Sequence, residues 1–223
     1  MIWLEFDLFK FEGQMFQESL NHRVHEAYLA AYSVLEKTYG ERQEGLYKQL
    51  NSITEDVDGE QRALTEEVIG DEEIRWLEQK EALAAMAIAL LASLNKSFLD
   101  AQKRMLNKTH PADPKGKYAG KSELLKLVTE YRARFNIDLV KIDGFETVRE
   151  VTLARNCCLH WGGSPDEDYK TQTNQRLLDS SGIINLTPEQ LDSIIEELSQ
   201  FGKSLNTLMS EVWKKHRPSQ LSL

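Results

Sequence analysis

Apolar residues recur along most of this chain at intervals of three and four, the spacing that gives an α-helix one apolar side. Between about Gln14 and Ile53 they include Val24, Tyr28, Ala31 and Leu35. The pattern predicts a long first helix, with Gly40 as its candidate break. An acidic stretch, Thr54 to Gly59, separates it from a second helical region over roughly Glu60 to Asn107. There the run Ala82 to Leu94 is apolar nearly all round, as suits the central helix of a bundle. Pro111, Pro114, Gly116 and Gly120 mark Lys108 to Gly120 as a loop. A third helix follows from Ser122 to about Asn136.

Asp143, with Glu146 three residues later, has the spacing of a capping box and predicts a fourth helix over Phe145 to His160. Gly162 and Gly163 stand where such a helix stops. From Ser164 to Asn185 the chain is polar and irregular, and Gly182 to Leu186 is a short strand candidate. Thr187-Pro188-Glu189-Gln190 supplies an N-cap, a first-turn proline and a capping partner for a last helix to about His216. The expected fold is all-α: an up-and-down bundle of four to five helices, with a short strand or hairpin around 165–186. Residues 1–55 are expected as a helical extension and 60–216 as the helical domain.

Composition agrees with that class. At 223 residues, 41% hydrophobic and 28% charged, with five prolines, the chain reads as a globular protein rich in helix formers. Glu5 and Asp7 interrupt the first apolar stretch, and no basic start or small-residue cleavage site indicates export. The run Ala82 to Leu94 is too short to span a bilayer. Cys157 and Cys158 are neighbours, and a bridge between adjacent residues would be strained, so reduced thiols in a cytoplasmic protein are expected.

The formal net charge of −9 argues against a protein that coats nucleic acid without selectivity. The charge is uneven, however. Lys103 to Arg134 holds nine Lys/Arg against three Asp/Glu, whereas Glu41 to Lys80 holds twelve Asp/Glu against five Lys/Arg. A local basic surface on an acidic body and a simple solvated face both fit that gradient.

The helix Phe145 to His160 carries the most informative side chains. With 100° per residue, Phe145, Val148, Thr152, Arg155 and Leu159 fall on one stripe, and Arg149, Leu153, Asn156 and His160 on a neighbouring one. Arg155 therefore shares a line with apolar residues, where an always-charged group needs a partner or an interface. Histidine can move a proton to or from ribose and phosphate oxygens near neutral pH. Arginine can hold phosphate oxygens and stabilise charge that builds in the transition state, and asparagine can orient either. Arg155 and His160 lie about 140° apart around an ideal helix, so either the helix end is distorted or two copies combine. An arginine and a histidine near a helix C-terminus also occur for the sake of the dipole alone.

Arg155-Asn156-Cys157-Cys158-Leu159-His160 resembles the Arg-x4-6-His signature of the HEPN superfamily, including the polar residue after the arginine. The helix entering it, Val148 to Ala154, and the Trp161-Gly162-Gly163 turn leaving it resemble the same context over roughly residues 60 to 215. The resemblance implies a helical bundle that dimerises so that two motifs share a cleft. It also implies metal-independent RNA cleavage without a cofactor, in toxin–antitoxin or anti-phage systems with an antitoxin or defence partner. Arg155, Asn156 and His160 would be catalytic, and Arg149, Lys115, Lys117 and Lys121 would bind RNA. In one subgroup of toxins a tyrosine two residues after the histidine is modified by the antitoxin. Here Gly162 stands at that position, which leaves that control without its target. The alternative within the same superfamily is a non-catalytic module that binds RNA or protein.

Other motifs carry less. Gly116-Lys117-Tyr118-Ala119-Gly120-Lys121-Ser122 has three residues between its glycines where a P-loop needs four. His22, His25 and Glu26 could share a helix face but lack a metal-site spacing. Glu55 to Glu60 lacks the ligand order of a calcium loop. A thiol nucleophile beside His160 is conceivable; the favoured packing has Cys158 turned inward and Cys157 incidental.

Overall fold

The apolar-spaced region at the N-terminus folds as one continuous helical rod and does not break at Gly40. In the computed structural model, which describes residues 8–53, 59–107, 110–111, 118, 120 and 122–215, α1 is Leu8–Glu18. It passes through a π-helical segment, Ser19–Glu26, into α2, Ala27–Ser52. A side chain at Gly40 would meet nothing within 4 Å. The helix therefore runs through it at no more than the propensity cost of glycine, about 1 kcal/mol relative to alanine.

Helix α3, Gly59–Met105, has 47 residues and is about 70 Å long at 1.5 Å per residue. Its buried positions run from Ala84 to Gln102, with Thr65 the exception. The first half of α3 instead pairs with α2 as a two-helix arm. Tyr39 stacks on Trp76 with ring centroids 4.4 Å apart, and the Lys80 ammonium sits 4.2 Å from the Trp76 ring centroid. Arg42 bonds Glu72 at 2.8 Å and Lys80 pairs with Glu36 at 3.1 Å. An 18-residue window of α3 has the length and composition to cross a membrane, and 44% of that window is buried inside the fold. That is the place of a bundle's central helix.

Ser122 caps α4, Glu123–Phe135, by accepting the Leu125 N–H at 3.2 Å. Asn136 ends it in the left-handed conformation. A 3-10 turn, Leu139–Lys141, leads to α5, Phe145–Trp161. The expected Asp143/Glu146 capping box does not form: the N-cap is Gly144, at φ 85°, with no side-chain cap bond. A Cβ there would lie 2.3 Å from the Glu197 carbonyl oxygen, so α7 occupies the space a side chain would need. Glu146 bonds Arg149 instead.

The polar stretch after α5 holds a short helix the periodicity does not reveal, α6, Glu167–Gln172, capped by Asp166 through the Tyr169 N–H at 2.7 Å. The expected strand at 182–186 reduces to one isolated bridge, Leu178 with Ile184; among the described residues there is no strand. Asp179 Oδ1 accepts the Ser181 and Ile183 N–H groups at 2.9 and 3.1 Å, curling the chain into a turn before a ladder can grow. Helix α7, Pro188–Lys215, opens on the expected reciprocal cap, with Thr187 and Gln190 bonding each other's backbone at 2.7 and 3.2 Å.

Phe9, Phe16, Leu20 and Val24 belong to the same buried cluster as Ile88, Leu99, Val148, Val151, Leu198 and Phe201. Phe16 stacks on Phe98 at 4.3 Å. The division expected near residues 55–60 does not separate two cores: residues 8–28 pack into the body, and only the two-helix arm extends from it. The all-α bundle is otherwise as the pattern predicts.

Candidate functional site

Helix α5 is a core helix for most of its length and a surface helix at its end. Phe145, Val148, Val151, Ala154 and Cys157 are buried, and the next turn is not. Leu159 is 56% and Trp161 62% exposed, and Arg155 and His160 are exposed with them. The stripe that holds Arg155 in line with Phe145 and Val148 thus runs out of the core before it reaches the guanidinium. Arg155 escapes the desolvation its wheel position suggested. Its hydrogen bond among the described residues is to its neighbour, Asn156 Oδ1, at 3.5 Å.

The helix stays α-helical to Trp161, and Gly162, at φ 57°, ends it. The Gly163 N–H bonds the Cys157 carbonyl at 3.2 Å, and the Gly163 carbonyl accepts the Ile184 N–H at 2.9 Å. Distortion at the helix end is therefore not the answer to the angle between Arg155 and His160. One chain sends the two side chains in different directions. Arg155, Asn156 and Arg149 border a hollow of about 370 Å³ between α4 and α5, and His160 is not among its lining residues.

Arg149 is held in that hollow by three contacts. It bonds Glu146 at 3.0 Å and the Gln172 carbonyl at 3.5 Å, and its guanidinium lies 5.4 Å from the Phe145 ring centroid. Lys115, Lys117 and Lys121 lie outside the described residues. Within the basic stretch, Lys103 pairs with Glu130 and Asp100, Arg132 with Asp138, and Arg134 with Glu130. These three cations are matched by carboxylates of the same chain.

The two cysteines exchange the places expected for them. Cys157 is fully buried and accepts the Asp166 N–H at 3.5 Å, while Cys158 is half-buried; both are free thiols. Burial, with Cys157 beside it, pushes the Cys158 thiol up to about 11, and burial raises Cys157 as well. Neither is a thiolate near neutral pH, which removes the thiol-nucleophile option. His22 bonds Glu26 at 2.9 Å and His25 bonds Asp192 at 2.5 Å. Among the described residues no group of His, Cys, Asp or Glu could hold a metal ion.

Three residues beside Arg155 escaped the reading of the sequence. Glu123, Thr152 and the α3 residue Asn95 border the space around it. Thr152 was legible from the wheel, one turn before Arg155. Asn95, sixty positions earlier, carried no signal beyond being a polar residue just after the apolar run. Comparison with protein-family models, curated proteins and solved structures yields no match.

Proposed function

We propose that this chain is a metal-independent endoribonuclease of the HEPN type, acting as a homodimer in the cytoplasm as a toxin or anti-phage component. The observation that carries the reading is the end of α5. A helix buried for four turns emerges to present Arg155 and His160 in solvent, flanked by exposed Leu159 and Trp161. Apolar side chains of that size beside a pair of polar groups suit a subunit contact around a site. A two-fold contact through this end would bring the His160 of one subunit toward the Arg155 face of the other, resolving the divergence within a single helix.

In that arrangement His160 takes the proton from a ribose 2′-hydroxyl, and O2′ attacks the adjacent phosphorus. Arg155 holds the non-bridging oxygens while charge gathers on the phosphorane-like transition state. The bond from phosphorus to O5′ breaks, and O5′ takes a proton from His160 of the partner subunit. The products are a 2′,3′-cyclic phosphate and a 5′-hydroxyl. Asn156, one helical turn before His160, orients the histidine or the phosphate. DNA, lacking the 2′-hydroxyl, is not cut.

The test is incubation of purified protein with mixed RNAs in EDTA. Wild type cuts, while Arg155→Ala and His160→Ala fall by about 10²-fold or more. Equal and negligible cleavage by all three would sink the proposal. The alternative, a non-catalytic module that binds RNA or protein, draws on the net charge of −9 and on the ion pairs that occupy Lys103, Arg132 and Arg134. It predicts that His160→Ala lowers stability or dimerisation and changes no cleavage.

A further inference from the structure

Arg155 stands between two hollows. Both are bordered by Glu123, Leu124, Thr152 and Arg155; one extends toward Arg149 and Val140, the other toward Asn95 and Leu99 on α3. Their volumes are about 370 and 160 Å³. If Arg155 grips a phosphate, the strand it belongs to has one nucleotide on each side. Two hollows that meet at the gripping group match that geometry, and single-stranded RNA is read by bases splayed into such spaces.

The smaller hollow has a chemical preference. Asn95 is 1% exposed, and its Nδ2 donates to the Leu91 carbonyl at 2.9 Å. A carbonyl only accepts, so the amide nitrogen must face it, and the orientation of Asn95 follows. Its Oδ1 is buried and has no partner among the described residues. A buried acceptor left in this way is costly, and a donor brought by a ligand would remove the cost. Leu99, Leu127 and Val148 give the hollow apolar walls. Lys96, bridged to Glu123 at 3.4 Å and Asp100 at 3.9 Å, also borders it. Its volume lies below the about 300 Å³ at which sites for drug-sized molecules begin, which limits the occupant to about one ring.

We infer that an RNA dinucleotide step straddles Arg155, with a cytosine in the α3-side hollow donating its amino hydrogen to Asn95 Oδ1. Uracil places a carbonyl oxygen where cytosine has the amino group. Two acceptors would then face each other and both would go unpaired. The inference rests on the RNA reading of Arg155, so binding and cutting are measured apart.

The probes are 2′-O-methyl hexanucleotides, which cannot be cut through a 2′-hydroxyl: oligo-C, oligo-U, and oligo-C with its amino groups removed. Titrated against the wild-type protein, oligo-C binds about tenfold tighter than the other two, the worth of one hydrogen bond that would otherwise be unmade. Asn95→Leu, of similar volume, loses the preference, and Arg155→Ala weakens all three alike. Equal binding of the three probes by wild type, binding of none, or a preference that survives Asn95→Leu overturns the inference. The deaminated probe keeps the test valid should Asn95→Leu not fold. Cleavage of RNA without preference for cytosine at the cut site would overturn this inference and leave the nuclease standing. Cytosine-selective binding without cleavage would do the reverse.

Discussion

Glu150 is the side chain whose burial asks most of its neighbours. It is 2% exposed in the middle of α5, and it accepts from the Tyr169 hydroxyl at 3.1 Å, the Arg176 N–H at 2.6 Å and Arg176 Nε at 2.9 Å. Arg176 also bonds Glu197 at 2.7 Å and the Thr147 hydroxyl at 2.8 Å, and Thr147 donates to Glu197. This network ties the irregular segment after α6 to α5 and α7. Glu150→Ala should lower unfolding free energy by about 2–3 kcal/mol in urea titration. That is less than for a fully buried pair, because Arg176 keeps solvent access. Burial pushes the Glu197 carboxyl up, but hydrogen bonds from Arg176 and Thr147 outweigh it and hold it below its ordinary value. A carboxylate depressed on folding stabilises above its unfolded pKa, and that contribution is lost as pH falls through the folded value. Tm should therefore drop on acidification through and below about pH 4, and Glu197→Gln should flatten that part of the profile. An unchanged slope in Glu197→Gln would assign the acid sensitivity elsewhere. At this scale the sequence identified Arg155, Asn156 and His160 as a group. It misjudged the environment of Arg155 and the order of the cysteines, because a wheel tells which residues share a side and not where that side leaves the core.

At the scale of elements, termini separate into those written locally and those imposed by a neighbour. Thr187 with Gln190 closes a cap within four residues, and Gly162 ends α5 by adopting φ 57° where a Cβ meets nothing. Both were legible. Gly144 differs: its φ of 85° is set beside a backbone carbonyl of α7, fifty-three positions later, and the Asp143/Glu146 pattern in front of it is not used. The two glycines make a paired prediction. Gly162→Ala should cost about 1 kcal/mol, the strain of a left-handed alanine. Gly144→Ala should cost about 2–4 kcal/mol, since the same strain is joined by a collision with backbone that has no rotamer to yield. Thermal unfolding of the two variants checks the order; equal losses would mean that α7 can shift away. Helix α6 stayed hidden because six residues are too few for a period to show.

For the whole molecule, the proposed site depends on a second copy, and the exposed end of α5 is where that dependence can be tested. Leu159→Asp should shift the protein from dimer to monomer in sedimentation or light scattering and abolish RNA cutting, with helical content unchanged. A monomer that cuts as fast as wild type would refute the composite site. The all-α class, the N- and C-terminal limits of α4, the stop of α5 and the start of α7 were determined by the sequence alone. Each rests on hydrophobic period or capping chemistry that acts over three or four residues. Three things were decided only by the tertiary structure: the packing of α1 into the body, the Glu150–Arg176–Glu197 network, and the place of Asn95 beside Arg155. Each joins residues that are distant along the chain, and which of them meet depends on how whole helices cross and fill one core, a property no local pattern carries.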